Sequence, residues 1–210
     1  MSAEAGIAEL PAAEPLRTRS GAGPAPVRIV VGYGFWIFLL SDIILFSALF
    51  ATYAVLQGQT AGGPSAHQLF GLRNAGIETL ALLFSSYTCG LGIVAMEQRR
   101  MPVFYLCFAL TFVLGATFLG LELTEFAGFV ARGAGPSRSG FLSAFFSLVG
   151  LHGAHVTVGL LWLIFLVAQT AYRGPLDYVR RRLLCFSLFW HALDIIWVGL
   201  LTMVYLMGAR

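Results

Sequence analysis

The sequence contains no lysine, and charge of either sign is scarce: charged residues make up 11% of its 210 positions, against about 25% in soluble domains. So little charge excludes a large soluble domain. Cysteine occurs only three times, at Cys89, Cys107 and Cys185. An odd set without CxxC spacing, each member inside an apolar segment, excludes a disulfide framework and reads as small packing residues. Proline is missing from the centre of every long apolar run, so the broken helices that mark many transporters are not indicated. No basic run is interleaved with aromatics, which argues against nucleic-acid binding. The N-terminus has no apolar core of the kind that makes a secretory signal.

What remains is hydrophobic: 58% of the residues, with a mean hydropathy of +0.82. A bilayer core of about 30 Å takes roughly 20 apolar residues per helix. Five apolar segments qualify, near residues 31–56, 74–97, 102–129, 141–171 and 183–207. Alternating barrel-type patterning is absent, and hydrocarbon satisfies no backbone polar group, so all five read as helices. The fold expected is an all-α membrane protein, a five-helix bundle over residues 29–210. Residues 1–28, rich in Ala, Pro, Gly and Arg, read as a disordered cytoplasmic tail. The connections carry turn chemistry: "GQTAGGPSAHQLFGL", "RRMP", "RGAGPSRSG" and "YRGPLDYVRRR".

Arginine placement sets the expected orientation. With the N-terminus cytoplasmic, Arg17, Arg19, Arg28, Arg99, Arg100, Arg173, Arg180, Arg181 and Arg182 lie inside, and Arg73, Arg132, Arg138 and Arg210 outside. The excess of basic residues inside favours N-in and C-out.

An ionisable group at the centre of a span costs about 2.5–3.5 kcal/mol on insertion scales, so each needs a partner or a role. The candidates are Asp42, Glu78, Glu122, Glu125, His152, His155, His191 and Asp194. At about 1.5 Å per residue, Asp42, His191, Asp194 and His155 reach the middle of the membrane. Glu78, Glu122 and Glu125 gather toward the outer surface. Three readings compete for the histidines. Haem ligation of the di-haem type needs four histidines in two layers, and the spans hold three. A metal site from His152, His155 and His191, with Asp194, has the right donors but no further ligand pattern. Pairing of polar groups across helix interfaces explains them with the fewest assumptions. Ion translocation by a stand-alone transporter is a further alternative, although the carboxylates fall at two depths without forming an evident chain. Small residues four apart, Ala116 with Gly120, Ser143 with Ser147, Gly150 with Ala154 and His155 with Gly159, suit close helix contact. Tyr33, Trp36 and Tyr205 suit interfacial anchoring, and Trp190 and Trp197 suit the bundle interior.

The runs "GFWIFLLSDIILFSALFATYAVL", "GPSRSGFLSAFFSLVGLHGAHVTVGLLW" and "SLFWHALDIIWVGLLTMVYLMG" together carry HGxH, WHxxDxxW and an acidic residue in the first span. They resemble subunit III of haem-copper terminal oxidases, from about residue 31 to the C-terminus. Within that family the chain is most like the bacterial quinol-oxidase branch, of cytochrome o type, which has five spans where the mitochondrial type has seven. The resemblance implies a non-catalytic subunit of a four-subunit, proton-pumping ubiquinol oxidase in the bacterial inner membrane. Haems and copper would sit in partner subunit I, with subunits II and IV alongside and no cofactor or metal in this chain. It implies phospholipid in a cleft between the first two spans and the rest, support of proton uptake, and a role for Asp42 matching the family's first-span acid. The alternative within the family is subunit III of a cytochrome c oxidase. Asp42 is expected to hydrogen-bond His191 or His155. Arg99, Arg100, Arg180, Arg181 and Arg182 are candidate contacts for lipid phosphate.

Overall fold

The computed structural model describes residues 27–60, 72–174 and 176–206. It comprises α1 (Val27–Leu56), α2 (Leu72–Glu97), α3 (Met101–Ala131), α4 (Gly140–Arg173) and α5 (Asp177–Leu200). The last runs on without a break into a π-helical turn, Leu201–Leu206. Five helices are long and apolar enough to cross a membrane. Of the tail expected over residues 1–28, all but the last two positions lie outside the described residues, and those two already belong to α1. Most of the first connection, residues 61–71, lies outside them too.

All five helices start earlier than the apolar runs suggest, two of them by a single residue. The clearest is α5, which begins at Asp177 rather than near 183. Hydropathy marks the hydrocarbon slab, whereas helical hydrogen bonding continues into the headgroup region. Asp177 in the first turn also complements the helix dipole. Arg180, Arg181 and Arg182 therefore stand on a helix and not in a loop. The turn before them is only Gly174 to Leu176, with Gly174 at φ 73°.

The other turns are equally tight. Arg99, at φ 57°, closes α2, and the Arg100 amide donates back to the Ala95 carbonyl at 2.9 Å. Pro102 follows in the first turn of α3, where a missing N–H costs nothing. Gly133, at φ 74°, ends α3. The Ser139 hydroxyl then caps α4 by accepting from the Leu142 amide at 3.2 Å.

α2 and α3 form the most extensive helix pair, α4 and α5 pack on each other, and α1 lies against α4 and α5. The first two helices are thus not neighbours, and the cleft expected between them and the remainder does not follow from this packing. α1 buries Leu39, Phe46 and Tyr53, seven residues apart as in a coiled-coil seam. Ile37, Ile44 and Val55 face outward.

Trp190 of α5 is the interior wedge. A Cβ at Gly115 of α3 would lie 3.0 Å from its ring, and one at Gly159 of α4 2.9 Å. Both positions therefore require glycine if the tryptophan is to keep its slot. Of the small residues expected at contacts, Gly159 fits. Gly120 has nothing within 4 Å of where a Cβ would be. Tyr33 and Trp36 are exposed, as interfacial anchors would be, but Tyr205 is fully buried. Its position near the end of the span suggested an anchor; its hydroxyl is instead satisfied inside the bundle.

Candidate functional site

The ionisable residues form two separate layers. In the middle layer, Oδ2 of Asp42 on α1 lies 3.9 Å from Nε2 of His155 on α4. That is an ion-pair distance and too long for a hydrogen bond. Nδ1 of His155 is 2.8 Å from the Leu151 carbonyl and must donate to it, since a carbonyl only accepts. Nε2 then carries a proton toward Asp42 only as imidazolium. Asp42 accordingly meets His155 and not His191.

His191 on α5 instead pairs through Nδ1 with the Ser86 hydroxyl of α2 at 2.6 Å. Ser86, His191 and Asp194 line one hollow of about 400 Å³ between these helices, where Asp194 Oδ1 has no hydrogen-bond partner among the described residues. His152 is fully buried. The rings of Trp197, Phe118 and Phe46 enclose it at centroid distances of 5.3, 5.7 and 6.3 Å.

Sequence reasoning missed the residues of α2 that receive these groups. Trp190 Nε1 donates to the Ser85 hydroxyl at 3.0 Å, and Trp197 Nε1 to Thr79 at 3.0 Å. Thr88 and Thr111 join α2 to α3 at 2.8 Å. The available signal was the hydroxyl pair in "LLFSSYT", polar atoms in a run that otherwise belongs in lipid.

The second layer lies at the end of the bundle formed by the start of α2 and the ends of α3 and α5. It holds Glu78, Glu122 and Glu125, with the Tyr205 hydroxyl donating to Glu125 Oε2 at 3.2 Å. Glu78 and Glu122 are 1% and 2% exposed, and none of their four carboxyl oxygens has a partner among the described residues.

At the opposite end, Arg180 and Arg181 of α5 line a hollow of about 310 Å³ with Asp177 and with Glu97 of α2. Arg181 and Leu184 also line an adjoining hollow of about 260 Å³, whose other walls include Val31, Gly32 and Leu188. Arg182 turns away, donating to Gln169 at 3.2 Å. Arg99 and Arg100 are exposed at the α2–α3 turn.

The histidines do not fit a haem or copper site. Aromatic rings wall in His152, while His155 and His191 point to different partners. Among the described residues, no three His, Cys, Asp or Glu side chains are arranged to hold a metal ion.

The family model described as "Cytochrome c oxidase subunit III" matches residues 16–209. This chain belongs to the cytochrome c oxidase subunit III family. Among subunit III relatives, "Cytochrome bo(3) ubiquinol oxidase subunit 3" of Pseudomonas aeruginosa is 49% identical over 177 residues, 84% of this chain and 85% of the relative. The protein of the same name in Pseudomonas putida is 48% identical over 175 residues, 83% of this chain and 84% of the relative. "Quinol oxidase subunit 3" of Bacillus subtilis is 43% identical over 175 residues, 83% and 86% of the two chains. The resemblance read from the three sequence runs is thereby confirmed. Subunit III membership also agrees with the five apolar helices.

Proposed function

We propose that this chain is the non-catalytic subunit III of a proton-pumping terminal ubiquinol oxidase in a bacterial inner membrane. It packs on the subunit I that carries haems and copper, in company with subunits II and IV, and its N-terminus faces the cytoplasm. The observation that carries this reading is the set of relatives named as quinol oxidase subunits, each matched along more than four-fifths of both chains. Those names favour the quinol branch over a cytochrome c oxidase. The polar layers favour a structural role for the histidines over ligation, since Ser86 and Asp42 occupy His191 and His155.

The outward face of α1 supplies the surface for subunit I, because α1 meets the rest of the chain by one seam and leaves large apolar residues uncovered. The middle-layer groups hold the bundle in shape for that contact and so sustain proton uptake by the neighbour. Phospholipid binds where Arg180 and Arg181 meet Glu97 and Asp177. There a headgroup phosphate finds guanidinium groups, an ammonium finds carboxylates, and a chain lies in the apolar hollow beyond Arg181. Arg182 is held by Gln169 and contributes less.

A tag on this chain tests the assignment. Pull-down from native membranes should bring a haem-bearing partner with quinol oxidase activity, while the chain expressed alone gives a blank optical spectrum. Haem or copper bound stoichiometrically by the isolated chain would overturn it, as would purification without a haem partner. Lipid analysis of the complex carrying R180Q and R181Q should show lost phospholipid; unchanged lipid content removes the headgroup site and leaves the subunit assignment intact.

A further inference from the structure

We infer that Glu78, Glu122 and Glu125 form a proton-sharing carboxyl cluster, a proton-binding site in exchange with water at the end of the bundle that carries Arg132. Three observations lead there. First, the carboxyls come from two helices and act on one another electrostatically, and Glu125 also accepts the Tyr205 hydroxyl of α5.

Second, Glu78 and Glu122 are enclosed by this chain alone, with every carboxyl oxygen buried and unpartnered among the described residues. Of the charged and titratable groups acting on the cluster, α3 supplies Arg132 and α5 supplies Tyr205. α4 brings Phe145 and Phe146 against Phe126. Arg132 spends Nε on the Gly128 carbonyl at 3.0 Å and lies 5.2 Å from the Phe129 ring centre, so it serves Glu125 and not the two enclosed acids. A buried carboxylate without a cation is far more costly than the neutral acid.

Third, the cluster has a way out through Glu78 and Glu125, whereas Glu122 does not line the cavity. A cavity of about 380 Å³ is lined by Asn74, Glu78, Thr124, Glu125 and Arg132, among others. An enclosed acid facing such a cavity has both a reason to hold a proton and a route to exchange it.

The roles divide by hydrogen bonding. Glu125, which accepts from Tyr205 and lies near Arg132, carries the negative charge. Glu78 and Glu122 carry protons. In exchange, a carboxylate oxygen takes a proton from hydronium in the cavity, leaving water and the neutral acid, and the reverse step returns it. Protons removed from such a set come off in steps that belong to the group.

Infrared spectroscopy of the purified oxidase complex containing this chain tests the inference. At neutral pH, protonated-carboxyl C=O bands should appear and move down in D2O. E122Q and E78Q should each remove one such band. Labelling with carboxyl-13C glutamate should shift the wild-type bands, which keeps the test decisive even for a variant that fails to assemble. G128L adds bulk at the cavity wall, where a Cβ makes only ordinary contact with Arg132 Nη2 at 3.8 Å, and should slow deuterium exchange several-fold. Bands unaffected by both glutamine variants and by the label would overturn the proposal. So would loss of the bands on adding sodium or calcium at fixed pH, which would mean a cation site, or exchange unaltered by G128L.

Discussion

The middle layer and the carboxyl end use the same kinds of side chain under largely opposite conditions. In the middle, His191 has Ser86, His155 has the Leu151 carbonyl and Asp42, and the indole N–H groups of Trp190 and Trp197 have Ser85 and Thr79, while the ring nitrogens of His152 and Asp194 Oδ1 have no partner among the described residues. At the other end, two glutamates are equally enclosed and have no partner among the described residues. A polar group inside a bundle therefore marks either a fastening between helices or a group kept neutral by its proton. Only the partner distinguishes the two, and partners across helices are invisible in a linear pattern.

The strongest way to break the comparison is to remove a fastening that also fills space. Trp190→Ala deletes the wedge between Gly115 and Gly159 and leaves Ser85 without its donor, and large-to-small changes of this kind cost about 3–5 kcal/mol. Retention of the subunit in the complex during heating in detergent should fall sharply. If it does not, the middle layer is less tightly organised than its geometry indicates. The reverse insult is smaller. Gly159→Val places atoms against the Trp190 and Phe189 rings, and overpacking costs about 1–3 kcal/mol.

The direct contrast between the layers comes from one pair of variants. Ser86→Ala removes the partner of His191 and should cost about 0.6 kcal/mol, the average for polar contacts between membrane helices. Glu122→Met removes an unpartnered acid and keeps the volume, so stability should stay level or rise. A loss with Glu122→Met as large as that with Ser86→Ala would mean that Glu122 is fastened to something, and the distinction between layers would fail.

How much of this was legible in the sequence depends on the range of the signal. Five helices could be read because hydrophobic length is a local property. The position of each ionisable residue along its span followed for the same reason; that Glu125 meets the Tyr205 hydroxyl did not. The burial of Tyr205 was not legible, since a tyrosine near a span end suits either an interface or an interior acceptor. The partners of His191 and Trp190 depend on which face of α2 meets α5, and the polar residues of α2 do not fall on one face, so no periodicity orients it. The early start of α5 was missed because polar residues in "DYVRRR" read as loop once hydropathy falls. The Asp42 contact was narrowed to His155 or His191 by depth; choosing between them required knowing that α1 lies across both α4 and α5.

Asp42 is where the comparison is finest. Its carboxylate and the His155 ring are 16% and 20% exposed and 3.9 Å apart, so the pair is neither locked like Ser86 and His191 nor enclosed like Glu122. Asp42→Asn keeps the shape and removes the charge. An incompletely closed pair of this kind is worth at most about 1 kcal/mol, and assembly of the complex should be almost unchanged. Heat-retention curves for wild type and Asp42→Asn should therefore nearly coincide. Curves that separate as widely as those for Trp190→Ala would show that Asp42 is a full fastening of the middle layer and holds more than the His155 ring.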